Sequence, residues 1–312
     1  MSVLRIGTRA SALAMAQAGT VATKLRGELV PIVSEGDRSQ ASLASLGGTG
    51  VFAVALREAL LAGEVDAVVH SFKDLPTAPV EGLVIAAVPR RADARDALCA
   101  RDGLTLDQLP EGARVGTGSP RRRAQLAARR PDLEIVDIRG NIDTRLGRVG
   151  VADDVEGGAE RALDAVVLAA AGLSRLGRSA AATDLFDLAA WPTAPAQGAL
   201  AIETRVGDER LAARADHRAS RVAVEAERGV LARLEAGCAA PIGAHGFIED
   251  DMIFLSARVY RPDGGDQVTA SHAAYTADTT PAELAARVAD ELLSGGAADL
   301  APLGGTGGEG AR

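Results

Sequence analysis

Asp66-Ala67-Val68-Val69-His70-Ser71-Phe72-Lys73-Asp74-Leu75-Pro76 decides the fold, because its opening tetrad returns later as Asp164-Ala165-Val166-Val167. The apolar run reads as a short buried strand that breaks into a polar turn. Upstream, Gly7-Thr8-Arg9-Ala10-Ser11 is echoed by Gly116-Thr117-Gly118-Ser119, and the two echoes keep the same order. Around the first copy lie a strand over 3–7, an Ala/Leu/Met-rich helix capped by Ser11 and running to about Arg26, and a second strand over 28–33. A polar stretch over 36–50 reads as a mobile lid, and a helix over 51–61 ends at Gly63. Strands alternating with helices imply a mostly parallel sheet. The repeat therefore predicts two similar α/β domains, the second opening near Asp93. Residues 149–161, with Asp153-Asp154 and Gly157-Gly158, read as a surface insertion. Residues 199–203 read as a strand returning to the first domain.

From Arg218 the pattern changes. Val222, Ala226, Val230 and Leu234 recur every four residues and predict an amphipathic helix to Glu235. Gly237 stands where a left-handed residue would end it, and Pro241 prevents it from resuming. Alternating segments at 242–248, 252–261 and 267–276, joined by Asp250-Asp251 and Pro262-Asp263-Gly264-Gly265, form an antiparallel sheet. Pro281 opens a last helix to about Leu293. The expected division is 1–91 with 199–214, then 92–198, then a small α+β domain over 215–296. A disordered Gly-rich tail over 297–312 completes it.

The chain of 312 residues is 47% apolar and 24% charged, which suits a soluble protein. No apolar run approaches the roughly 20 residues that span a bilayer. The opening residues carry no signal-peptide pattern, so the expected compartment is the cytoplasm. Cys99 and Cys238 have no C-x-x-C spacing, and the four histidines show no ligand spacing, which argues against a disulfide framework or a metal. A net charge of −8 argues against bulk attraction to nucleic acid or an anionic membrane.

Lys24 and Lys73 are the only lysines, and every other basic side chain is arginine. GC-rich coding accounts for most of these arginines, but their placement is informative. Ser119-Pro120-Arg121-Arg122-Arg123 puts cations in the first turn of a helix, against its dipole, at about 0.3–1 kcal/mol each. Arg9 before the Ser11 cap, and Arg139 and Arg145 around the Asn141 cap, break the same rule. In doubly wound sheets such turns line one crevice, where helix N-termini and guanidinium forks bind carboxylates or phosphates. Asp74 ends a strand on that crevice and suits a cationic intermediate; its plainer reading is a surface partner of Lys73. Cys238 follows a helix C-terminus, whose negative end raises a thiol pKa. It suits capture of a strong electrophile rather than attack on an ester; its plainer reading is a half-buried core thiol. Gln197-Gly198 can be read as a turn, and Cys99 as core.

Taken together, His70-Ser71-Phe72-Lys73-Asp74-Leu75-Pro76, Arg121-Arg122, Arg139-Gly140-Asn141, Ala171-Gly172-Leu173, Gln197-Gly198 and Leu234-Glu235-x-Gly237-Cys238-x-x-Pro241-Ile242-Gly243 resemble the porphobilinogen deaminase (hydroxymethylbilane synthase) family, in the family's order from about Leu4 to Leu293. The resemblance implies two domains like type II periplasmic binding proteins plus a small C-terminal α+β domain with a three-stranded sheet. It implies a dipyrromethane cofactor joined by a thioether to Cys238, no metal, and condensation of four porphobilinogen molecules with loss of ammonia. By resemblance Asp74 is catalytic. Lys73, Asp74, Ser119, Arg121, Arg122, Arg139 and Gly140 hold the cofactor, and Arg9, Ser11, Arg139, Arg145, Arg175 and Gln197 the substrate. A monomer and a transient hand-off to uroporphyrinogen III synthase are implied as well.

The chain departs from the family's pattern at Ser45 and Thr49, where lysines are common, at Phe72 and Pro120, and in the longer 149–161 segment. Two rivals stay open. A non-enzymatic periplasmic-binding-protein-like module for small anions gives Cys238 no role and needs no third domain. A cysteine hydrolase or phosphatase needs a base or a helix N-terminus beside the thiol.

Overall fold

The computed structural model describes residues 3–33, 51–150, 162–236 and 240–303. The lid with Ser45 and Thr49, most of the 149–161 insertion, Gly237, Cys238 and the end of the tail lie outside the described residues.

The first sheet contains β1 (Leu4–Arg9), β2 (Gly27–Ile32), β3 (Ala67–Ser71), β4 (Leu83–Ala87) and β10 (Leu200–Arg205), in the order β2-β1-β3-β10-β4. Strands β1, β2 and β3 are parallel, while β10 runs antiparallel to both neighbours. Helices α1 (Ala12–Leu25) and α2 (Val51–Leu61) cover it. The second sheet repeats the plan with β5 (Asp96–Ala100), β6 (Arg114–Gly116), β7 (Glu134–Val136), β8 (Ala165–Ala169) and β9 (Asp184–Leu185), ordered β7-β6-β8-β5-β9. Here β5 is the antiparallel fourth strand. Helices α3 (Pro120–Arg129), α4 (Ile142–Leu146) and α5 (Ala170–Arg175) follow its strands. Parallel strands with an antiparallel fourth strand entering from a crossover give the type II periplasmic-binding-protein architecture twice.

The echoed tetrads have a physical cause. Asp66 accepts from the backbone N–H of Arg5 at 2.8 Å, and Asp164 from that of Arg114 at 2.7 Å. Each aspartate also donates its own N–H to the carbonyl of the same arginine, so it locks the start of the central strand to its neighbour. Gly7 and Gly116 occupy matching places. A Cβ there would approach Val68 Cγ1 to 2.9 Å and Leu163 Cδ1 to 2.6 Å.

The third unit packs α6 (Arg218–Arg233) and α7 (Pro281–Ser294) on one face of the antiparallel sheet β11 (Ile242–Glu249), β12 (Met252–Tyr260) and β13 (Gln267–Tyr275). Ala226, Val230, Ile253, Leu255, Leu284 and Val288 fill its core. Thr280 caps α7 with a complete capping box to Glu283. Two expectations are corrected. The helix before Cys238 ends at Arg233, and the residue after its C-cap, Glu235, is left-handed (φ 48°). The N–H groups of Glu235 and Ala236 bond Ala232 O and Leu231 O, a Schellman ending built without glycine. The tail is not disordered from 297, because α8 (Ala297–Leu300) buries Ala297, and Ala301 follows it into the third core. Ordering there follows from alanines that fit beside α7 at little side-chain entropy.

Candidate active site

The chain crosses between the two α/β units twice, and the crossings touch. Ala92 N–H bonds Gly198 O at 3.2 Å, and a Cβ on Gly198 (φ 84°) would sit 2.8 Å from Ala92 O. Glu227 of α6, fully buried, fastens both crossings. It takes a fork of bonds from Arg91 at 2.6 and 3.0 Å, the Ala196 N–H at 2.6 Å and the Gly246 N–H at 2.7 Å.

In front of these crossings, between the two sheets, opens a cavity of about 590 Å³. It is lined by nine of the residues marked in the sequence: Arg9, Ser11, Lys73, Asp74, Arg122, Gly140, Arg145, Arg175 and Gln197. Ser119, Arg121 and Arg139 are not in its wall.

Strand β3 delivers Asp74. Beyond Ser71 the chain makes one 3₁₀ turn, Phe72–Asp74, with Phe72 buried and Asp74 exposed to the cavity. Arg228 of α6 holds this turn by donating to the carbonyls of Phe72 (3.0 Å), Leu75 (2.8 Å) and Pro76 (2.7 Å), with its guanidinium 4.4 Å from the centre of the Phe72 ring. Burial pulls the Lys73 pKa below its ordinary value against the opposing pull of Asp74, and its Nζ reaches Gln197 Oε1 at 3.4 Å.

The arginine pair after Ser119 has a partner that the sequence did not disclose. Asp96, fully buried at the start of β5, meets Arg121 at 2.9 Å and Arg122 at 2.7 Å. It also accepts from Gln197 Nε2 at 2.8 Å and Trp191 Nε1 at 2.9 Å. Burial alone would raise the Asp96 pKa, but the two guanidinium groups outweigh it and hold the carboxyl far below its usual range. The cations that oppose the α3 dipole are thus answered by a buried anion. Ser119 caps that helix, accepting the Arg122 N–H at 3.4 Å. Arg121 turns away, to Pro192 O and to Gln125, whose amide bonds Tyr260 of β12. Arg122 stays in the wall, and its Nε is buried without a hydrogen-bond partner among the described residues.

Arg145 donates to Gly140 O at 2.8 Å and Arg175 to Gly198 O at 2.7 Å. Burial lowers both pKa values, and neither meets a carboxylate among the described residues. Arg139 is exposed beside Asp137 at 3.8 Å. Among the described residues no cluster of His, Cys, Asp and Glu is placed to hold a metal, and no helix is long and apolar enough to cross a membrane. Burial raises the Cys99 thiol to about 11, so it is no nucleophile.

Sequence reasoning missed Asp96, Glu227 and Arg228. The available signal for Asp96 was a lone acid opening the apolar run Asp96-Ala97-Leu98-Cys99, which needs a cation wherever it is buried.

Two domains facing each other across desolvated arginines, with one carboxylate exposed at a strand end, define a class: an enzyme that grips a polycarboxylate while stabilising positive charge at its centre. Comparison with known proteins gives that class a family. The porphobilinogen deaminase dipyromethane cofactor binding domain matches residues 4–213, and the porphobilinogen deaminase C-terminal domain matches 222–294. A porphobilinogen deaminase from Leifsonia xyli is 59% identical across 96% of this chain and 94% of its own. One from Cutibacterium acnes is 53% identical across 97% of this chain and 98% of its own. The chain belongs to the porphobilinogen deaminase family.

Proposed function

We propose that the cavity holds the dipyrromethane cofactor and the growing pyrrole chain, and that Asp74 stabilises the cation formed as each porphobilinogen loses ammonia. The protein is a hydroxymethylbilane synthase, a transferase of tetrapyrrole biosynthesis that condenses four porphobilinogen units and releases the linear product by hydrolysis. Its pyrrole rings each carry an acetate and a propionate. The residues present fit that group. Arg9, Lys73, Arg122, Arg145 and Arg175 line the cavity, and among the described residues the Nε of Arg122 has no partner while Arg145 and Arg175 bond only backbone carbonyls.

When bound, the dipyrromethane supplies a free pyrrole α-carbon as nucleophile and a tether through Cys238. The five cations hold acetate and propionate groups by charge-assisted bonds, each worth about 1.5–3 kcal/mol. Gly140 and the Ser11 cap of α1 offer polar contacts beside them. Asp74 sets a negative charge where positive charge develops, inside a site that Arg228 keeps from relaxing. Lys73 and Gln197 tie that turn to the second unit. Arg121 and Ser119 serve the cofactor by fixing Arg122, and Arg139 reaches the ligand only if the wall around Gly140 moves.

The single observation that carries this reading is Asp74, exposed at the end of β3 in a cavity walled by cations. Domain limits of 1–91 with 199–214, 92–198 and 215–303 go with it, supported by sheet membership and the buried Ala297 and Ala301. A monomer in the cytoplasm, handing its product to uroporphyrinogen III synthase, completes the reading by resemblance. Intact mass and peptide mapping test the whole. Two linked pyrrole units on Cys238 are expected, and an unmodified Cys238 in active protein, or an adduct on Cys99, overturns it.

A further inference from the structure

His70 is the one imidazole in the cavity wall, and no role above uses it. It sits in β3, four residues before Asp74, and is 7% exposed. Its Nε2 lies 3.2 Å from Glu203 Oε2. Glu203 is itself buried in β10 and takes a fork from Arg57 of α2, two bonds of 2.9 Å. Burial would raise the Glu203 pKa, but the bonds from His70 and Arg57 outweigh it and keep it a carboxylate. A carboxylate only accepts, so the ring atom facing Glu203, Nε2, carries a hydrogen, and Nδ1 is the nitrogen left to exchange a proton. Among the described residues Nδ1 bonds nothing. This is an imidazole aimed by a buried acid, the arrangement that proton transfer needs.

The corresponding place in the second unit shows that the frame does not require it. There β8 carries Leu168 where β3 carries His70, and β5 carries Cys99 where β10 carries Glu203, by strand pairing. An apolar pair fills the same position without an ion.

We propose that His70 is the proton-transfer residue of the condensation, with Glu203 as its positioning residue and Arg57 holding Glu203. The proposal rests on the activity given above. In each condensation the C–N bond of the protonated aminomethyl group breaks, and its electron pair leaves with ammonia. A C–C bond forms between that carbon and a free pyrrole α-carbon. The α-carbon then gives up its proton, and the C–H electron pair restores the aromatic ring. His70 Nδ1 accepts this proton and passes it to the departing ammonia, which leaves as ammonium. Charge and atoms balance, and His70 returns to its neutral form for the next unit.

The test compares wild type, His70→Asn and Glu203→Asp as holoenzymes whose cofactor is verified by intact mass. In His70→Asn, Arg57 still neutralises Glu203, so the melting temperature should stay near wild type. Loss of a general base typically slows the reaction about 100- to 10,000-fold. With porphobilinogen deuterated at its free α-carbon, wild type should show little isotope effect and His70→Asn a primary one, because proton loss becomes limiting. Without turnover, holoenzyme in deuterated water should exchange the free α-hydrogen of its bound pyrrole, read by peptide mass, and His70→Asn should exchange far more slowly. Glu203→Asp should fall between the two in both measurements. Near-normal turnover in His70→Asn, or slow turnover with unchanged isotope effect and exchange, overturns the role of His70. A wild type that carries no pyrrole adduct and consumes no porphobilinogen overturns the underlying activity instead.

Discussion

The two α/β units share a frame and differ in what they hang on it. In both, an aspartate ahead of the central strand accepts the neighbouring strand's N–H: Asp66 with Arg5, Asp164 with Arg114. In both, a serine caps the helix after the first strand of the repeat, Ser11 and Ser119. Past the central strand they part. The first unit turns through Phe72–Asp74, while the second enters α5 directly and offers Arg175 from its last turn. The buried acids differ likewise. Asp96 opens β5 at the cavity end and is consumed by two arginines, whereas Glu203 lies three residues inside β10 and aims an imidazole. A repeated frame fixes where strands end, and strand ends are free to diverge, so cations line the cavity from both units while the acid exposed at the end of a central strand, Asp74, comes from the first.

The largest effect should come from the acid that the second unit spends on structure. Asp96→Ala leaves two buried guanidinium groups without an anion, a loss of about 3–5 kcal/mol. Chemical denaturation should show that drop, and the protein should be recovered with little cofactor because Arg122 is no longer held. A stability within 1 kcal/mol of wild type, on the order of a surface change, would mean the cluster is not the anchor of this unit. Asp74→Asn should behave oppositely. Its turn is fixed by Arg228 and its side chain is exposed, so the melting temperature should hold while turnover falls about 100- to 1000-fold. Equal losses of stability in both variants would erase the distinction between an acid that builds and an acid that reacts.

The frame was legible and the pairing was not. Two tetrads recurring in one order were enough to read two similar sheets, because strand starts and caps are set by neighbours in sequence. Arg9 and Arg122 stood out because they break the helix-dipole rule locally, but Arg121 and Arg139 break it without lining the cavity, and Arg145 and Arg175 line it from last helical turns, where a cation is favoured. Asp96 was hidden because its meaning lies in contacts far along the chain: Gln197 is 101 residues away and Trp191 is 95. The same distance hid the split between Arg121 and Arg122, adjacent in sequence but facing Tyr260 and the cavity respectively. Glu235 shows the limit of a residue rule. The left-handed position preferred glycine, and a glycine stood two residues on, yet the Schellman bonds close at the glutamate.

A smaller effect tests whether the frame is truly shared. Asp66→Ala and Asp164→Ala each remove one bond to a backbone N–H and a short, partly exposed ion pair, with Arg5 and Arg101 respectively, and Asp66→Ala also loses a looser contact with Arg205 at 4.0 Å. Each should cost about 1–3 kcal/mol by unpairing a half-buried donor, and the two costs should agree within error. Turnover of the folded fraction should not change. A large loss in one alone would make the repeat a coincidence of sequence.

The smallest effect concerns the clamp that both units share. His245 of β11 lies 3.6 Å from Glu227, beyond hydrogen-bond reach, and its Nδ1 is buried without a hydrogen-bond partner among the described residues. Burial lowers its pKa first. Arg91 adds to that, while Glu227 and Asp187 oppose it, and the net shift is downward. The sign follows directly: below the ordinary histidine value of about 6.5 the unfolded chain binds a proton that the folded chain still refuses. Stability is therefore lost as pH falls from about 6.5 towards the folded value, and one proton limits the slope to about 1.4 kcal/mol per pH unit. His217, also lowered chiefly by burial, adds to the same slope. His245→Gln should flatten the acid side of the stability curve and leave stability near pH 8 almost unchanged. Because His245 stands outside the cavity wall, turnover per folded molecule should not move with it. An unaltered acid slope would show that the ring protonates freely in the folded state. A change in turnover would show that Glu227, by holding both crossings, passes the charge of His245 into the crevice, and the separation of frame from chemistry would then fail at the clamp.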